Sequence, residues 1–435
     1  MRKGKAAFFV AIMLMISCIG GCAANEEIQM SDAKLLKCAD SSVTQKQGAS
    51  DDIVNDIANL SEIERQEAFV KDAADFSIKL FRESAKAGEN AMISPTSVLL
   101  ALAMTENGAA GDTREQMRKV MGESLSEEDY HNALSTWYQA LPSDKENQLN
   151  IANSIWIRKG EQGFQAEDAF VQANQDAYHA ETYEASFNGD TVVDMNQWVS
   201  ERTDKMIPKI IDELNDNTQV VLINAVAFDA KWQEQYRKTD VRDNYFTNAK
   251  GKESWVPMMG STEETYLKDA NATGVIKPYK NGYSFVAILP NEDTTVEEYL
   301  SQMDGASFLS LLEEKEACEV YAEIPKFKAE YDLLMNDSLK SMGIQDMFAA
   351  GKADLSRMGS AADGNPLYIS KVIHKTYISV DEKGTKAAAA TVMMANSGGA
   401  MQAKSVILNR PFIYAIIENK SNLPIFIGTM QDVEE

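Results

Sequence analysis

Residues 382–404 read EKGTKAAAATVMMANSGGAMQAK. A long run of small side chains gives way to Met-Met and then to Ser-Gly-Gly, between two stretches that have the composition of firm strands. The four alanines favour helix, the β-branched flanks favour strand, and the glycine pair favours neither. A connection this long with almost no large anchors is uncommon inside a compact domain, where such segments are functional or disordered.

Working outward, the chain has 435 residues, 44% of them apolar and 25% charged, with a formal net charge of −24. Length and apolar share suffice for a sizeable core. The acidity argues against a nucleic-acid or other polyanionic partner, which needs a basic patch. Residues 1–21 are read as a signal peptide: MRKGK is a positive leader, and AAFFVAIMLMI is an apolar core too short to span a bilayer. The small residues before Cys22 resemble a bacterial lipobox, with Cys22 as the lipidated residue; Cys18 fits less well. Lipidation would tether the protein to the outer face of a membrane without a spanning helix. Ordinary cleavage nearby, with Cys22 discarded or free, is the plain alternative. Residues 22–60 are polar and acidic and read as a flexible linker. Cys38 and Cys318 then remain as free thiols, so the core, with no disulfide, holds the fold.

The folded part is expected over 61–435. Ser61 and Glu64 form a capping box before Phe69, Ala73, Phe76 and Leu80 at helical spacing. Gly88 breaks that helix, a short buried strand follows, and Pro95 and Gly108 bracket a second helix. LNIANSIWIR (149–158) alternates as a strand, and TQVVLINAVAFDAKW (218–232) is apolar enough for a strand buried on both faces. YSFVAILP, EVYAEIPKFKAEY, LYISKVIHKTYISVD, PFIYAIIEN and PIFIGTM read as further strands. The fold class is therefore mixed α/β (α+β) with large, mostly antiparallel sheets and no second domain.

Catalytic chemistry is not written in this chain. Of its three histidines, His131 and His179 lie in helical stretches and His374 in an apolar strand. None has a His or Cys partner at metal-ligand spacing, and no phosphate loop, dinucleotide fingerprint or nucleophile elbow occurs. His374 reads as a hydrogen-bonded core histidine. Neither a metal nor a cofactor is expected.

Several segments in the same order resemble the serpin family: Ser94-Pro95-Thr96-Ser97, NAVAFDAKW (224–232), VPMM (256–259), IPKFKAEYDL (324–333), GIQDMF (343–348), HKTYISVDEKGTKAAAAT (374–391) and NRPFIYAIIEN (409–419) with PIFIGTM (424–430). The resemblance covers about residues 61–432. It departs at Asp229-Ala230-Lys231, where the family usually has Lys-Gly before the tryptophan, and in a shortened connection before VVLINA.

The resemblance implies a fold with three β-sheets, about eight or nine helices and an exposed reactive loop. It also implies a serine protease inhibitor that works as a suicide substrate. The protease cuts the loop and forms an acyl-enzyme, and the cut loop enters the main sheet as a new strand. Under that reading Glu382, Lys383, Gly384, Thr385, Ala387, Ala388, Ala389, Ala390 and Thr391 form the hinge. Side chains alternate along a strand, so Thr385, Ala387, Ala389 and Thr391 share the face to be buried, while Lys386 points outward. Non-inhibitory members commonly carry bulky, charged or proline residues there; a non-inhibitory, surface-anchored binding protein is the alternative function. Ser94, Ser97, Asn224, Trp232 and His374 match the family's sheet-opening region. Counting forward from the hinge puts the cut between Gly398 and Gly399, with Ala395, Ser397, Ala400 and Met401 as neighbouring candidates. Residues 387–403 hold no Arg, Lys or aromatic residue, which suits an elastase- or subtilisin-like target. The expected partner is a serine protease in a covalent complex with a monomeric inhibitor.

Overall fold

A computed structural model describes residues 28–36 and 61–433, apart from 144–147, 160–163, 216–217, 281, 362–363, 365 and 386–403. The first long helix, Glu62–Ser84, starts at the expected capping box. Ser61 Oγ accepts from the Glu64 N–H (3.3 Å), and the Glu64 carboxylate accepts from the Ser61 N–H (2.7 Å). Its inward face carries Phe69, Phe76, Leu80 and Phe81 into the main core. Pro95 opens the next helix, Pro95–Glu106, with Ser94 as its cap. That helix is buried almost all round, as its continuous apolar sequence requires.

Nine α-helices and three hydrogen-bonded sheets are present among the described residues. The seven-stranded sheet runs Lys34–Leu36, Glu181–Ala185, Gln148–Arg158, Val220–Lys231, Gly384–Thr385, Ile373–Asp381, Phe327–Leu334. Its pairings are antiparallel except for that between Gln148–Arg158 and Glu181–Ala185. The nine-stranded sheet includes the hydrophobic hairpin Phe412–Glu418 and Pro424–Met430, buried along its whole length. Pro95–Glu106 lies against Val220–Lys231 of one sheet and Pro424–Met430 of the other, and the two sheets share one core.

Two expectations need correction. EVYAEIPKFKAEY is two strands. Glu316–Pro325 joins the nine-stranded sheet and Phe327–Leu334 joins the seven-stranded one. The first ladder runs on to Lys326, whose N–H donates to the Pro257 carbonyl (2.9 Å), and from Phe327, opposite Val380, the chain pairs in the other sheet. Second, residues 28–36 are docked, although they fall inside the segment expected to be a flexible linker. Lys34–Leu36 pairs antiparallel with Glu181–Ala185 at the sheet edge. Asp194 accepts from the N–H groups of Ser31 (2.8 Å), Asp32 (2.7 Å) and Ala33 (2.9 Å). Asp32 accepts from the Ser186 N–H (2.6 Å) and from the hydroxyls of Ser186 and Thr191 (both 2.7 Å), and it pairs with Lys159 at 3.1 Å. Ile28, Met30, Ala33 and Leu35 pack on a second core cluster that contains Trp156, Tyr183 and Trp198. The stretch 22–60 is polar on average, yet within 28–36 the apolar residues and the single aspartate, Asp32, each find a partner.

Candidate functional site

The hinge expected at 382–385 lies at one end of the seven-stranded sheet, between the strands Val220–Lys231 and Ile373–Asp381. Asp381, Glu382 and Lys383 present their carbonyls to the segment that follows the first of these. The Trp232 indole donates to the Asp381 carbonyl (2.8 Å), the Tyr236 N–H to that of Glu382 (2.9 Å), and the Trp232 N–H to that of Lys383 (3.0 Å). Gln235 Nε2 adds a second donor to Lys383 O at 3.1 Å. The Glu382 carboxylate meets Lys326 Nζ at 2.8 Å. Burial alone would raise the Glu382 pKa, but the Lys326 hydrogen bond, a backbone donor and the charges of Lys326 and Lys383 outweigh it, so it lies below the ordinary value.

Gly384 then enters the sheet. Its φ is +144°, and a Cβ there would stand 2.1 Å from the Ala230 carbonyl oxygen. Only glycine fits. Gly384–Thr385 is hydrogen-bonded on both sides: Thr385 stands opposite Val380 on one strand and Ala230 on the other. Among the described residues no ladder joins Val220–Lys231 directly to Ile373–Asp381. Further along, a cavity of about 290 Å³ lies between these strands, lined by Val220, Leu222, Asn224, Ile373 and His374, with Val98 among the helical residues of its wall. The rest of the expected hinge, Ala387 to Thr391, and the candidates Ala395, Ser397, Gly398, Gly399, Ala400 and Met401 lie outside the described residues, as does Cys22.

The second expected group also comes together. His374 Nε2 accepts from the Ser94 N–H (2.9 Å), so its proton rests on Nδ1. The ring is almost fully buried, and burial pushes its pKa down to about 3; it is a neutral structural acceptor. Ser94 Oγ accepts from the Ser97 N–H (3.2 Å), and the Ser97 hydroxyl donates to Asn224 Oδ1. Asn224 Nδ2 continues to Asn153 Oδ1 (2.5 Å), and Asn153 Nδ2 to the Tyr178 carbonyl (2.8 Å). This chain of polar groups ties the Pro95–Glu106 helix to three strands of the sheet at the cavity. It contains no nucleophile–base pair aimed at solvent.

Comparison with known proteins agrees with that reading. A family model described as "Serpin (serine protease inhibitor)" matches residues 71–433.

The chain belongs to the serpin family.

Serpins inhibit proteases and do not catalyse turnover, in keeping with the conformational site just described. Leukocyte elastase inhibitor A of Mus musculus is 30% identical over 371 residues, 81% of this chain and 96% of the relative. Mouse neuroserpin is 30% identical over 385 residues, covering 83% and 90%. Among solved structures, the thermophilic serpin tengpin in its native state superposes with a TM-score of 0.80 at 44% identity, covering 88% of this chain and 96% of that one. Within the serpin frame, four participants were not legible in the sequence; Gln235, like Tyr236, carries no motif. Lys326 is the partner of Glu382, but 56 residues separate them. Tyr236 carries no motif; its backbone N–H makes its contact with the hinge. Asn153 was legible only as a strand residue, although a polar residue in a buried strand asks for a partner.

Proposed function

We propose that this serpin is an inhibitor of serine proteases that traps its target by loop insertion. The observation that carries this is the seating of Gly384–Thr385 between Val220–Lys231 and Ile373–Asp381, with a cavity beyond them. A strand that continued from Thr385 toward that cavity would put Ala387, Ala389 and Thr391 on one face, and their small side chains need little room. Each new rung would add backbone hydrogen bonds on both sides. Cleavage frees the loop to make them, and the acyl-linked protease travels with it. The loop sequence favours elastase- or subtilisin-like enzymes, cut near Gly398-Gly399. A relative named for elastase inhibition supports the same class. The protein acts as a monomer that forms a covalent complex with its protease. It is secreted through its signal peptide and held by lipid at Cys22 on the outer face of the cell membrane.

The test is incubation of the purified protein with pancreatic elastase, subtilisin and trypsin. The expected result is an SDS-stable complex with elastase or subtilisin, and a released C-terminal peptide whose mass locates the bond. Cleavage without complex across all three enzymes would overturn the proposal. Fatty-acid labelling of cells that express wild type or Cys22→Ala tests the anchor: label is expected only in wild type, and label retained in the variant overturns it.

A further inference from the structure

A lysine lies buried under the hinge. Lys277 is 2% exposed and pairs with Glu263, itself 6% exposed, at 2.6 Å. Lys277 stands in the strand Ala272–Pro278 and Glu263 in Glu253–Lys268, both in the nine-stranded sheet. Enclosed ion pairs are poor stabilisers, because desolvation of two charges offsets their attraction. Replacement by apolar residues of similar volume is often neutral or favourable. Stability alone therefore does not explain this pair.

Its surroundings do. Lys277 Nζ lies 4.4 Å from the ring centroid of Tyr236 and 5.4 Å from that of Trp232, within cation–π range of both. Ser261 Oγ donates to Glu263 Oε1 (2.5 Å) and lies 3.2 Å from the Tyr236 hydroxyl. Trp232 is stacked on Tyr279 with centroids 4.2 Å apart and planes 11° apart. Trp232 and Tyr236 are the residues whose N–H groups hold Asp381, Glu382 and Lys383. The cation thus fixes from below the two aromatic residues that grip the hinge from the other side. An apolar pair would fill the same space without attracting either ring face.

We infer that the Lys277–Glu263 pair is a positioning element for the hinge, which sets how often a cleaved loop inserts before the protease escapes. This rests on the trapping reading above. A hinge held in register starts the new strand at once; a loosened one delays the first rung while deacylation proceeds.

The test compares wild type, Lys277→Arg and the double variant Lys277→Met/Glu263→Met. The double variant removes both charges together, so no unpaired buried ion is left to unfold it. One readout needs no protease: hydrogen exchange of the Trp232 indole N–H, followed by NMR. The other is the number of inhibitor molecules cleaved per protease trapped, with pancreatic elastase or subtilisin. The double variant is expected to keep a cooperative unfolding transition near that of wild type. Its Trp232 indole should exchange roughly tenfold faster, and several loops should be cleaved per trapped enzyme. Lys277→Arg keeps the cation and should stay within about twofold of wild type in both readouts. A folded double variant with wild-type exchange and wild-type partition overturns the inference. So does a Lys277→Arg protein as loose as the double variant, because the cation is then not what holds the rings. Wild type that traps neither protease sinks the trapping reading instead, and indole exchange then decides the hinge seat by itself.

Discussion

At the scale of single residues, the site was legible wherever one side chain's chemistry dictates its surroundings. Gly384 is such a case: the backbone takes φ +144° there against the Ala230 carbonyl, a conformation that glycine alone adopts freely. Gly384→Ala is expected to cost roughly 1–3 kcal/mol and to free the hinge, read as faster exchange at the Trp232 and Tyr236 amides; unchanged exchange would show that the carbonyl simply moves aside. His374 was also legible as a buried acceptor. Its folded pKa, about 3, lies below its unfolded value. The unfolded chain thus binds the extra proton between these values, and stability is complete above about pH 6.5 and lost as pH falls. The loss is expected at about 1.4 kcal/mol per pH unit between roughly pH 6 and pH 3. Urea denaturation of wild type and His374→Gln across that range should show a steeper acid loss in wild type. Equal slopes would contradict a neutral buried imidazole. Glu382 works in the same direction: with its pKa lowered, its contribution stands above the ordinary carboxylate range and fades on acidification. What the sequence could not show at this scale is partnership over distance, as with Lys326 and Glu382 or Lys277 and Glu263.

At the scale of elements, strand existence was easier to read than strand allegiance. Alternation and β-branched content identified EVYAEIPKFKAEY correctly as extended chain, but periodicity does not say to which sheet a strand belongs. Lys326 still donates to Pro257 of the nine-stranded sheet, and from Phe327 the chain pairs instead with Ile373–Asp381 of the seven-stranded one. The docked segment 28–36 was missed for a related reason: the low average hydropathy of 22–60 hides four apolar anchors and one carboxylate whose partners are more than 120 residues away. Burial alone would raise the pKa of Asp32, but four hydrogen bonds from Ser186, Thr191 and Lys159 hold it far below the ordinary value. The edge strand therefore gains its clamp above the carboxylate range and loses it as pH falls. Asp32→Ala leaves those donors without an acceptor and is expected to cost about 1–3 kcal/mol. Amide exchange across Glu181–Ala185 should rise with it, measured by mass spectrometry. Wild-type protection there would mean that the apolar anchors hold the strand unaided.

At the scale of the molecule, EKGTKAAAATVMMANSGGAMQAK divides into two parts. Its first four residues belong to the folded sheet: Glu382 and Lys383 are gripped by Trp232, Gln235 and Tyr236, and Gly384–Thr385 is paired on both sides. The alanines beyond them are small for the strand that insertion would make of them. Thr385 would be the first residue of that strand, and its backbone stands opposite Ala230 and Val380. The most direct measurement is therefore the product formed by wild type and by Thr385→Arg with the same elastase or subtilisin, resolved on a denaturing gel. Wild type is expected to give an SDS-stable complex, while Thr385→Arg is cut at the same bond and releases active protease. A Thr385→Arg protein that traps the enzyme as efficiently as wild type would contradict loop insertion as the source of inhibition.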